Sequence, residues 1–120
     1  KNYFEENFLN DLYSAIETHR EYAPYAHTFA VTQNENEEAS NVAIVRAVCD
    51  HYADGLEVKD GWIFFNYIYT QLEYDRRNFP GSSEEFETSF GVYFSLLLKT
   101  GASHYCPEYH DQVVADMRAM

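Results

Sequence analysis

The sequence predicts a mainly α, compact single domain of about five helices, with room for one short strand or hairpin. Three observations carry that expectation. Apolar residues recur at spacings of three and four along most of the chain. Proline and glycine breaks divide it into segments of helical length. An apolar content of 46% with 18% aromatics supplies a packed interior and argues against disorder. At 120 residues, the span 1–120 is of the size of one domain.

The first helix is expected over Asn2 to Tyr22. Phe4, Phe8, Leu12 and Ile16 recur every four residues, Leu9 and Tyr13 widen the stripe, and Pro24 closes it. Tyr25 to Thr32 reads equally as a short strand or a loop that packs Phe29 and Val31, and Gln33-Asn34-Glu35-Asn36 as a turn. A second helix is expected from Glu37 to Ala53, with Val42, Val45, Val48, Cys49 and Tyr52 inward. Gly55 is its stop, because a glycine readily takes the left-handed conformation that ends a helix.

Leu56 to Asp60 is then a connection into the apolar run Trp62 to Leu72. Phe65, Ile68, Tyr69 and Leu72 at helical spacing favour a buried helix there, while the β-branched and aromatic content leaves a hairpin open. Phe79-Pro80-Gly81-Ser82-Ser83 is the clearest break, and Ser82-x-x-Glu85 matches a capping box at the next helix start. That helix carries Phe86, Phe90, Tyr93, Phe94, Leu97 and Leu98 inward and is expected to halt near Lys99-Thr100-Gly101. The last helix begins at Pro107, whose fixed φ suits a first turn, with Val113, Val114 and Met117 on its apolar side.

Twenty acidic residues against eight basic ones give a formal charge of −12. That balance argues against direct nucleic-acid binding, which needs Lys and Arg on phosphates, and against anionic membrane surfaces. A field of this sign attracts cationic partners, although solubility alone also accounts for it. Many of the carboxylates lie near helix starts, where they offset the helix dipole: Glu5 and Glu6, Glu37 and Glu38, Glu84, Glu85 and Glu87, Glu108 and Asp111.

Others lie where the dipole disfavours them. Glu17 and Glu21 end the first helix four residues apart, and Asp50 and Asp54 end the second in the same way. Glu57 and Asp60 follow in the connection. Each such charge costs about 0.3–1 kcal/mol against the dipole, and like charges at that spacing repel by a few tenths more. Retaining them suggests a partner-binding set of Glu17, Glu21, Asp50, Tyr52, Asp54, Glu57 and Asp60, with Tyr52 as the aromatic anchor. The structural alternative has Arg46 bridging Asp50, Asp54 belonging to the Gly55 turn, and Tyr52 in the core. Tyr22, Tyr25, Tyr105 and Tyr109 flank the breaks and are further candidates for exposure, suited also to a homodimer.

No catalytic motif is present: no G-x-S-x-G, no P-loop and no G-x-G-x-x-G. His104-x-Cys106-x3-His110 and Cys49-Asp50-His51 hold candidate metal ligands, but neither spacing matches a standard zinc pattern, so no metal, cofactor or enzymatic activity is expected. Two cysteines are too few for a disulfide framework. Cys49 reads as a small hydrophobe on a helix face and Cys106 as a half-buried thiol beside Pro107. With no signal-peptide pattern at Lys1 to Glu6 and no run of about 18 apolar residues, the expectation is a reduced, cytoplasmic protein.

In size, acidity and aromatic content the whole chain resembles bacterial immunity proteins, which neutralise cognate nuclease toxins. The resemblance is one of composition and carries no residue assignments. It implies an acidic cover for a basic, phosphate-binding active face. The alternative expectation is a DNA mimic of the antirestriction or anti-CRISPR kind, which needs carboxylates spread along an extended surface.

Overall fold

The computed structural model describes residues 2–35, 41–55, 76–77 and 79–119, with the backbone alone at 32–35. The expected helix or hairpin at Trp62 to Leu72 lies outside the described residues. Among those residues there are five α-helices, one 3₁₀ turn and no strand.

Helix α1 runs Tyr3–Glu17, and Asn2 caps it by accepting a hydrogen bond from the Glu5 amide at 2.8 Å. Phe8, Leu9, Leu12 and Ile16 are buried as the four-residue period requires. Phe4 departs from that stripe at 48% exposure: in the first turn of the helix, its ring makes T-shaped contacts with Tyr105 and His104. The helix ends five residues before the expected Tyr22. Thr18 Oγ1 donates to the Ala15 carbonyl at 2.7 Å, and His19 Nδ1 lies 3.0 Å from the same oxygen.

Helix α2, Ala26–Glu35, occupies the segment that reads as strand or loop and continues through Gln33-Asn34-Glu35, where a turn is expected. Its inward stripe is weak because, among its described side chains, Ala26, Phe29 and Ala30 are the buried ones and two of these are alanines. Phe29 decides the matter. Its ring stands edge-on to Phe86 at 5.3 Å and stacks with Phe79 at 6.0 Å, contacts that lie far along the chain.

Helix α3, Asn41–Ala53, buries Val42, Ile44, Val45, Val48 and Tyr52. Gly55 ends it at φ +86°, as expected of a left-handed cap, with its amide bonded to the Tyr52 carbonyl at 3.0 Å. Helix α4, Ser83–Tyr105, opens on the expected capping box, in which Ser82 and Glu85 exchange side chain-to-backbone bonds of 3.0 and 3.1 Å.

Helix α4 does not halt at Gly101. A Cβ built there would overlap both γ-methyls of Val45, so this glycine permits a close helix crossing rather than a stop. All the other helices pack on α4, which makes it the central element. Phe86, Tyr93, Leu97 and Leu98 along it are at most 1% exposed, and truncating Leu97 to alanine costs about 2–5 kcal/mol. A 3₁₀ turn, Pro107–Tyr109, leads into helix α5, His110–Ala119.

Two buried polar links complete the core. Asn41, fully buried, donates to the Ala30 carbonyl at 2.8 Å and accepts from the Tyr93 hydroxyl at 2.6 Å, which ties α2, α3 and α4 together. Burial pushes the Tyr93 phenol well above its ordinary pKa, and the charge of Tyr13 adds in the same direction. The second link is covalent: Cys49 of α3 forms a disulfide with Cys106 at the end of α4. Both cysteines therefore differ from the free thiols expected of them, because the helix crossing at Gly101 brings their Cα atoms to 5.8 Å.

Candidate functional site

The carboxylates singled out by the sequence divide into two groups. Glu17 is the last residue of α1 and Glu21 follows in the turn, both exposed. Glu17 pairs with Arg20 at 3.2 Å, but the two side chains are 58% and 75% exposed, so the pair holds Glu17 only weakly. Asp50 and Asp54 are exposed at the end of α3, while Glu57 and Asp60 lie outside the described residues.

Asp50 does not receive Arg46. That guanidinium turns to Glu5 at 3.5 Å and lies 5.8 Å from the Tyr105 ring centre, because the α1–α4 junction offers it a carboxylate and an aromatic face together. Tyr52 is 4% exposed and belongs to the core, its hydroxyl donating to Asp116 Oδ2 at 2.8 Å and its ring stacked on Tyr109. It offers no aromatic surface to a partner. Of the tyrosines beside the breaks, Tyr22 is 70% exposed, whereas Tyr25, Tyr105 and Tyr109 pack against the core.

Helix direction separates the two acidic groups. Rings of Phe4 and Phe8 meet Tyr105, and Asp11 meets His104 Nε2 at 2.7 Å, so α1 runs antiparallel to α4. Asn41 bonds Tyr93 and Cys49 bonds Cys106, so α3 runs parallel to it. Glu17 and Glu21 thus lie toward the N-terminal half of α4, and Asp50 and Asp54 toward its C-terminal end. Between Gly91 and Tyr105 the helix rises about 21 Å, which sets the scale of the separation.

At the first of these ends a cleft of about 350 Å³ opens between the C-terminal turn of α1 and the outer face of α4. His19 and Tyr22 form one wall. Glu87, Gly91, Val92 and Leu96 form the floor and the other wall. Residues 87 and 91, and 92 and 96, are four apart and so fall in rows along one helix face. A second recess of about 500 Å³, bounded by Glu17, Arg20 and Glu21, continues it through the shared His19 and Tyr22. Of the cleft residues, Tyr22 carried a sequence signal of exposure. Gly91 had a quieter one: a glycine within a run that is otherwise a strong helix.

Four of the candidate metal ligands are engaged elsewhere. The Cys49 and Cys106 sulfurs bond each other, His104 meets Asp11, and His110 Nδ1 lies 3.1 Å from Asp111. Among the described residues no group of three or more His, Cys, Asp or Glu side chains is placed to hold a metal ion, and no helix is long and apolar enough to cross a membrane. No family model, curated protein or solved structure matches the chain.

Proposed function

We propose that this chain is an acidic inhibitor that covers the basic face of a partner protein, in the manner of an immunity protein blocking a nuclease toxin. The observation that carries the proposal is the state of the carboxylates at the helix ends. Glu21, Asp50 and Asp54 are exposed and have no ion pair among the described residues. Arg46, the obvious internal partner for Asp50, is spent on Glu5. Charges kept against the dipole and left uncompensated by the fold suit an external cation.

A DNA-mimic reading draws support from a different fact. The two acidic groups are separated along α4 by about 20 Å, a span over which a duplex also presents phosphates.

We also infer an oxidising compartment rather than the cytoplasm. Its support is the Cys49–Cys106 disulfide, since reducing compartments keep such thiols free.

The deciding experiment is affinity capture with the oxidised protein at low and high salt, followed by assay of what is retained. The expected outcome is one stoichiometric basic nuclease whose activity is lost on adding the protein, with binding that weakens as salt rises. A retained DNA-binding protein displaced by duplex DNA selects the mimic. Retention of neither at any salt overturns both readings.

A further inference from the structure

Two glycines of α4 are explained differently. Gly101 is buried, and any Cβ there would overlap Val45. Gly91 is exposed, and no described atom lies within 4 Å of a Cβ built on it. Its backbone is helical, without the positive φ that favours glycine at Gly55. In mid-helix a glycine is less stable than an alanine, so Gly91 costs the helix stability with no return from packing among the described residues. What its missing side chain does provide is depth in the cleft between Tyr22 and Leu96.

We propose that this cleft is the docking groove for the basic partner, and that its occupant is a protein segment presenting an arginine or lysine. The inference rests on the acidic-inhibitor reading and locates the contact within it. Charge complementarity selects the occupant. Three carboxylates, Glu17, Glu21 and Glu87, border the groove and its continuation, against a single exposed cation, Arg20. The aliphatic stem of an incoming basic residue lies along Val92 and Leu96 over the bare backbone of Gly91, and its charge meets the Tyr22 ring and the Glu87 side. Arg20, held only by an exposed pair, yields Glu17 to a competing guanidinium. A second copy of the chain is disfavoured as occupant, because it would set two acidic rims against each other.

The test uses the full oxidised chain, labelled with ¹⁵N, and the probe peptide acetyl-Arg-Leu-Arg-Leu-Arg-amide. Saturable amide shifts are expected at His19, Tyr22, Thr88, Gly91 and Ser95, and Gly91→Phe is expected to weaken binding at least tenfold. An unchanged spectrum away from the groove shows that this variant folds, and Glu87→Gln provides an independent loss of affinity that leaves the groove open. Shifts centred on Asp50, Asp54 and Glu108 would overturn the groove while leaving the acidic-inhibitor reading in place. A peptide that shifts nothing overturns the groove and removes the charge argument for that reading as well. Undiminished binding by both variants also overturns the groove.

Discussion

The two ends of α4 carry similar residue types and put them to different uses. At the C-terminal end, Gly101 accommodates Val45, Cys106 bonds Cys49, Asp116 accepts from Tyr52, and Tyr105 is clasped between Phe4, Phe8 and Arg46. Gly101, Cys106, Asp116 and the Tyr105 ring each have a partner inside the molecule, while Asp50 and Asp54 at the same end stay exposed. On the outer face of the N-terminal half, a Cβ built on Gly91 would meet no described atom within 4 Å, Tyr22 is largely in solvent, and the carboxylates of Glu21 and Glu87 have no ion pair among the described residues. A residue whose cost is repaid by packing says nothing of function. The same residue with no internal return marks a surface kept for something else.

That contrast can be broken most forcefully at the locked end. Cys49 and Cys106 are separated by 57 residues, and on the chain-entropy account cross-linking a loop of that length stabilises by about 4 kcal/mol. The double variant Cys49→Ser, Cys106→Ser should lose stability on that scale in urea unfolding. A loss below about 1 kcal/mol would mean that the C-terminal end is held by packing alone.

Gly101→Ala comes next. Overpacking against Val45 should cost about 1–3 kcal/mol, read as a lower midpoint at unchanged slope. Gly91→Ala should move the other way, stabilising by about 0.5–1 kcal/mol. Opposite signs for two glycine-to-alanine changes on one helix would sharpen the comparison, and like signs would remove it.

An effect of similar size at neutral pH concerns Tyr93. Its pKa is raised by burial, so the stability it contributes is present below the ordinary tyrosine value near 10 and is lost as pH rises above it. Tyr93→Phe should cost about 1 kcal/mol at pH 7 through the hydrogen bond to Asn41, and should flatten the decline of stability between about pH 9 and 11. An equally steep alkaline decline in the variant would assign it to other groups.

Much of the fold is local and therefore legible. The stripe of Phe8, Leu12 and Ile16, the Ser82–Glu85 capping box, the Gly55 cap and the Pro107 start each depend on residues within a turn or two of one another. Helix α2 was less legible because, among its described side chains, Phe29 is the one large buried residue, and its ring contacts come from α4 and Phe79. The candidate site was half legible. Exposed charge at Glu17, Glu21, Asp50 and Asp54 follows from composition and spacing, but Tyr52 turns inward because Asp116, 64 residues away, accepts from its hydroxyl.

The sequence by itself determined that this protein is acidic, mainly helical and rich in aromatic core residues, since charge, periodicity and capping act within one helical turn. Tertiary structure alone decided that Cys49 meets Cys106, that Arg46 serves Glu5 instead of Asp50, and that the acidic residues divide between two ends of α4. Those outcomes depend on which helices run parallel and where they cross. Pairings between residues tens of positions apart leave no periodic trace in the chain from which they could be read.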